Sequence, residues 1–222
     1  MKILITVWML LGCAALQAAA SGAEDIRDAL RAMPDPDNGA RLFVICAQCH
    51  EPHGGGLPLG WVPEIAGQHP SVLVRELVDY RHGARWDDRM EKIAGRHILK
   101  TPQEIADVVA YIGALRPTLE PRVGSGQWLT KGEHVYAAQC RSCHGGEGEG
   151  SAARAVPRLA GQQAEYLVRQ MHDSAEGRRP NLRGIHARLF KPLSMEQLMG
   201  LADYLSRLGS AAAPGEQHAA LP

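Results

Sequence analysis

Apolar positions along the chain form one unbroken run near the start and then a series of short stretches with helical spacing. The unbroken run spans Ile3 to Leu16. It falls short of the about 20 residues that a bilayer span needs. With Lys2 before it and Ala18-Ala19-Ala20 behind it, residues 1–20 read as an export signal cleaved before Ser21. Downstream, apolar residues recur at intervals of three and four over Val72–Tyr80, Pro102–Leu115, Tyr166–His172 and Met195–Leu208. Shorter helices are predicted over Glu24–Met33, stopped by Pro34-Asp35-Pro36, and over Ala40–Cys46 and His134–Gln139. The fold class this predicts is all-α.

These stretches come as two copies of one unit. Val62-Pro63-Glu64-Ile65-Ala66-Gly67-Gln68 returns as Val156-Pro157-Arg158-Leu159-Ala160-Gly161-Gln162, and Gly83-Ala84-Arg85 as Gly177-Arg178-Arg179, both 94 positions later. The closing helices are 93 apart, so one residue is lost between Arg179 and Ser194. Pro117, Pro121 and Gly124-Ser125-Gly126 mark a linker. The expected layout is signal 1–20, lead-in 21–36, domain 37–116, linker 117–130, domain 131–208 and a disordered tail 209–222.

Composition sharpens this picture. In a chain of 222 residues two such units are small, and aromatic residues make up only 5%, so each core is thin unless something apolar fills it. Net charge is zero overall, but residues 21–120 carry 11 Lys/Arg against 15 Asp/Glu and residues 121–222 carry 12 against 9. Neither half is basic enough for nucleic acid. The imbalance is either ordinary surface variation or a dipole that orients partners.

The filling is named by the chemistry. Cys46-Ala47-Gln48-Cys49-His50 recurs as Cys140-Arg141-Ser142-Cys143-His144. Cys-x-x-Cys-His is a c-type haem attachment pattern. On a helical turn both thiols share a face and can add to the two vinyl groups of one porphyrin, and the histidine that follows points at the iron. A redox dithiol would need a preceding strand and a zinc site a further cysteine pair; neither is present. The glycine-rich loops Gly54-Gly55-Gly56 and Gly145–Gly150 lack Walker or Rossmann spacing and let backbone approach a flat cofactor. Pro63 and Pro157 either present a carbonyl to the proximal histidine or make a structural turn. Arg85 and Arg179 either pair with haem propionates or lie in a solvated basic loop.

With its duplicated Cys-x-x-Cys-His units, two Pro-x-x-Ala-Gly-Gln phrases, and closing helices bearing Tyr111 and Tyr204, the chain resembles the diheme cytochrome c4 family over about residues 37–208. The resemblance implies two tandem class I cytochrome c domains, each wrapped around one covalent haem c, that shuttle single electrons outside the cytoplasmic membrane. It also implies a methionine as sixth iron ligand in the loop before each closing helix. Unit one offers Met90, with His97 as rival. Unit two has no methionine between Gly177 and Ser194. His186 stands where the family would place one, with His172 in reserve; Met171 and Met195 read as core and helix-start residues. The expected site is therefore Cys46, Cys49, Cys140 and Cys143 on the haems, with His50, Met90, His144 and His186 on the irons.

A thioether ligand raises haem potential, so the first haem is expected to be the better acceptor. The chain is expected to be a periplasmic electron carrier with redox proteins as partners. The alternative is a haem enzyme, a diheme peroxidase or a sulfur-compound dehydrogenase, or the cytochrome subunit of one, with turnover at the second haem. Leu10-Leu11-Gly12-Cys13 resembles a lipoprotein box, and membrane association follows only if Cys13 is lipidated.

Overall fold

The computed structural model describes residues 21–57, 60–117, 123–182 and 184–209; the export signal with Cys13, and the tail beyond Gly209, lie outside them. Helices carry the whole architecture. Among the described residues the β content is one isolated antiparallel bridge, Ser151 with Val156.

The first unit comprises α1 (residues 21–31), α2 (Pro36–His50), α3 (Pro70–Arg81), α4 (Asp88–Ala94) and α5 (Pro102–Ala114). The second comprises α6 (Leu129–Val135), a single π turn (Tyr136–Cys140), α7 (Arg141–His144), α8 (Ala164–Ala175), a short 3₁₀ turn (Pro180–Leu182), α9 (Ile185–Phe190) and α10 (Met195–Arg207). α2 starts earlier than the apolar spacing predicts. The Asp35 carboxylate accepts from the backbone N–H groups of Asp37 and Asn38, and Pro36 needs no donor partner at the first position. α5 and α10 open on matching capping boxes, Thr101 with Glu104 and Ser194 with Gln197. Such a cap contributes about 0.5–2 kcal/mol. The spacing between the two caps is 93 residues, which fixes the repeat register at the last helix.

In each unit the first helix crosses the last, and a glycine makes the crossing close. A Cβ at Gly39 would sit inside the Asp107 carbonyl, and one at Gly132 inside the Gly200 carbonyl. One turn further on, Phe43 packs on Tyr111 at 5.2 Å and Tyr136 on Tyr204 at 5.5 Å between ring centroids. Gly39 to Gly132 and Phe43 to Tyr136 are 93 apart, yet Cys46 to Cys140 is 94. The second unit therefore carries one extra residue between the crossing and the haem motif, and the π turn absorbs it. Both the crossing and the motif keep their facing.

Each unit has its own core. The first gathers Phe43, Val74, Val78, Leu99, Ile105, Val108 and Ile112, and α1 adds Ala29 to it. The second gathers Tyr136, Leu167, Met171, Leu198, Leu201 and Leu205. α1 is more than a lead-in. Its buried Asp25 carboxylate accepts from Arg81 at 3.1 Å, His82 at 3.0 Å and Arg96 at 2.8 Å. Burial works against its ionisation, but these donors hold the carboxyl below the usual range.

Candidate functional site

α2 ends in the first motif. Cys46 is half-buried, Cys49 exposed and His50 buried. Burial pushes the Cys46 thiol up to about 11, and the Cys140 thiol likewise to about 11. Immediately after His50 the chain reverses through Glu51, at φ 63°, and Gly54, at φ 72°. That reversal brings the repeated phrase back under the helix end. His50 Nδ1 donates to the Pro63 carbonyl at 3.0 Å, and His144 Nδ1 donates to the Pro157 carbonyl at 3.1 Å. Of the two readings of the prolines, the carbonyl acceptor is the one realised. Burial lowers both imidazole pKa values against the opposing pull of the carbonyls. Each ring is neutral with its proton on Nδ1, which leaves the Nε2 lone pair for a metal.

His50 lines a cavity of about 320 Å³ whose walls include Cys46, Cys49, Tyr80, Met90 and Val108. The second unit closes it with Arg158, Leu159, Tyr166 and Arg179. Met90 reaches the cavity from α4, a helix that the apolar spacing does not reveal. Asp87 caps it by accepting from the N–H groups of Arg89 and Met90, each at 3.1 Å. His97 is exposed and its ring lies over Gly95 instead. Of the two candidates in this loop, Met90 shares the cavity with His50.

In the second unit α9 carries His186 against His144. Their ring centroids are 6.2 Å apart and the planes are inclined by 64°. Two metal–nitrogen bonds of about 2 Å plus two ring radii come to roughly 6 Å, so the spacing suits one metal ion held between the rings. Phe190, 5.8 Å away on the same helix, backs His186. Burial lowers the His186 pKa, and the neighbouring His144 and Arg179 lower it further. The reserve candidate His172 is engaged elsewhere, accepting on Nδ1 from Arg178 at 2.7 Å. Met171 is core and Met195 is half exposed at the start of α10. His69 donates to the Glu149 carbonyl at 2.8 Å, while His53 and His134 are exposed.

Arg85 is not in a solvated loop. It is buried, stacks on the Tyr80 ring at 4.7 Å, donates to Tyr166 Oη and Gln170 Oε1 at 2.8 Å, and forms an ion pair with Glu76. Arg179 reaches the same Glu76 carboxylate at 2.8 Å from the other unit. Burial opposes ionisation of Glu76, but Arg85 and Arg179 outweigh it and hold the carboxyl at about 2. Glu76 escaped the sequence reading. Arg75 and Asp79 are charged neighbours on the same helix, so nothing in the sequence singles Glu76 out. Arg169 Nε and Arg179 Nε are buried with no protein partner and lie on residues that line the cavity. Donors in that position suit the carboxylates at a porphyrin edge. Thiol pairs, neutral histidines with Nδ1 engaged, an apolar cavity and spare guanidinium donors together fit covalent haem c.

The glutamines that close the repeated phrases were also missed as site residues. Gln162 Oε1 accepts from Glu64 N at 3.1 Å and its Nε2 donates to Glu64 O at 2.8 Å. Gln68 does the same with Arg158, at 2.9 Å in both directions. Their repetition was visible in sequence, but their crossing between units was not.

Comparison with known proteins agrees with the two-unit fold. The family model for cytochrome c matches residues 36–116 and 129–209. Cytochrome c4 of Azotobacter vinelandii is 28% identical over 93% of this chain and 99% of its own length. The crystal structure of reduced cytochrome c4 from Pseudomonas stutzeri superposes with a TM-score of 0.70, at 23% identity, over 79% of this chain and 100% of that one. Thiosulfate dehydrogenase of Marichromatium purpuratum gives a TM-score of 0.68 at 29% identity, over 81% of this chain and 42% of that one.

Proposed function

The chain belongs to the cytochrome c family, and we propose that it works as an exported electron carrier whose first haem is His/Met ligated and whose second is His/His ligated. It is a diheme electron-transfer cytochrome of the c4 type, with two covalently bound haem c groups at Cys46/Cys49 and Cys140/Cys143 and redox proteins as partners. When bound, each haem supplies a one-electron couple. The rest is the work of this chain's side chains.

His50 and His144 would each ligate an iron, their tautomer fixed by the Pro63 and Pro157 carbonyls. Met90, on the wall of the His50 cavity, would be the further protein ligand to the first iron. His186 would be the further ligand to the second. The observation that carries this reading is the 6.2 Å separation of the His144 and His186 rings. A thioether favours the reduced iron more than an imidazole does, so with Met90 and His186 as ligands the first haem would be the better acceptor and transfer from unit two toward unit one would be favoured. Arg85 and Arg179 join the two units through the Glu76 carboxylate they share.

A spectroelectrochemical titration tests the assignment. It should resolve two midpoint potentials, the higher belonging to a haem with a methionine signature. Equal potentials, or two methionine-ligated ferric haems, would sink it. The export step is tested by the mass of the mature N-terminus, which starts at Ser21 if the signal is cut there and at a lipidated Cys13 if it is not.

A second reading draws on the likeness to thiosulfate dehydrogenase, of which this chain matches less than half. Here the chain is the cytochrome part of a sulfur-compound dehydrogenase, or turns over substrate at the second haem. Carbon monoxide or cyanide binding to the second haem as isolated favours turnover; two inert low-spin haems favour the carrier.

A further inference from the structure

The peptide group between Pro63 and Glu64 is shared by two partners. On one side its carbonyl accepts from His50 Nδ1 at 3.0 Å; on the other its N–H donates to Gln162 Oε1 of the second unit at 3.1 Å. The peptide between Pro157 and Arg158 is held the same way, by His144 at 3.1 Å and by Gln68 of the first unit at 2.9 Å. Each glutamine closes its grip with an Nε2 bond to the next carbonyl, at 2.8 Å on Glu64 and 2.9 Å on Arg158.

Hydrogen bonds in series strengthen one another. A peptide whose N–H is engaged presents a more electron-rich carbonyl, and that carbonyl draws harder on the histidine proton. A histidine with a stronger Nδ1–H acceptor is a more basic ligand. A more basic ligand favours the oxidised iron over the reduced one and lowers the potential.

We infer that Gln162 is a positioning residue for the first haem and Gln68 for the second, each lowering the potential of the haem in the opposite unit through the peptide that orients its proximal histidine. The inference rests on the reading of His50 and His144 as iron ligands. It requires no contact between either glutamine and a haem. It also makes the two sites interdependent, because loosening the interface weakens both grips at once.

The test is a spectroelectrochemical titration of the diheme protein as Gln162→Leu and as Gln68→Leu. Each potential is assigned by following the axial-ligand proton resonances of each haem during reduction. Gln162→Leu should raise the first haem's potential by about threefold in its reduction equilibrium, about 30 mV at about 59 mV per tenfold, and leave the second nearly unmoved. Gln68→Leu should do the reverse. Gln162→Asn keeps the interface polar but is one methylene too short to reach Glu64, so it should move the first haem in the same direction even if the leucine variant fails to assemble. Shifts confined to each glutamine's own unit, equal shifts of both haems, or none in any variant would overturn the inference. Failure of the ligand reading itself would appear separately, as wild-type resonances that lack a proximal histidine on either haem.

Discussion

The imidazole rings of His144 and His186 stand 6.2 Å apart at an inclination of 64°, with Phe190 packed behind the second ring. Among the described residues no second histidine lines the cavity of the first unit, where Met90 and His50 share the wall. The two units thus repeat the His50 and His144 side of the site and differ across from it, in Met90 and His186.

Replacing His186 tests this asymmetry directly. His186→Met should raise the second haem's midpoint potential by on the order of 100 mV, a fraction of the ~0.8 V that axial ligation spans. His186→Ala should leave the reduced second haem open to carbon monoxide, read as a shift of its absorption bands. An unchanged spectrum in the alanine variant would show that His186 is not a ligand.

The first unit permits the matching comparison. Met90→Ala should lower the first haem's potential and let it bind carbon monoxide, whereas His97→Ala should leave its potential and spectrum as they are, because His97 is exposed and off the cavity wall. If the two variants behaved in the opposite way, the ligand would be His97.

Glu76 ties the units together, and its contribution depends on pH. Its folded pKa of about 2 lies below the ordinary 4.5, so the stabilisation is fully present above about pH 4.5 and is lost as pH falls toward 2. Glu76→Gln removes the charge that faces the buried guanidinium of Arg85. It should destabilise the protein by about 3 kcal/mol at pH 7, read as a drop in Tm. The gap between variant and wild type should close on acidification through that window. A gap of constant size from pH 7 to pH 3 would contradict the ion-pair account.

The helix crossing and the π turn make opposite predictions for two small changes in the same segment. Gly132→Ala places a methyl inside the Gly200 carbonyl and should cost about 1–3 kcal/mol or more, with loss of haem from the second unit as the readout. Deleting Ala138, which is exposed in the π turn, should let the helix return to ordinary α geometry as in the first unit. The deletion variant should keep two haems by pyridine haemochrome assay. A single haem would show that the extra residue is needed for the motif to face its site.

Sequence by itself determined what local chemistry determines. Two thiols three apart followed by histidine can be read without a fold, because one helical turn is enough to place them on one face. The longer helices followed from apolar spacing and their caps, while α4 and α9 did not, and His186 was picked out by the resemblance to the cytochrome c4 family. Tertiary structure alone decided whatever needs residues far apart in the chain to meet. Met90 was separated from His97 because α4 carries Met90 to the cavity wall, while His97 lies beyond the end of α4 and is exposed. Glu76 became the anchor of Arg85 and Arg179 because the fold brings all three together, with Arg85 buried and the other two half-buried. The π turn was written in the change of offset from 93 to 94, but it acquired a reason only once the Gly132 crossing and the Cys140 motif were both fixed in space. Gln68 and Gln162 look like the ends of two matching phrases. Their hydrogen bonds run to Arg158 and Glu64, some 90 and 98 residues away, and a pattern of neighbours along a chain cannot say which distant backbone group a side chain will find.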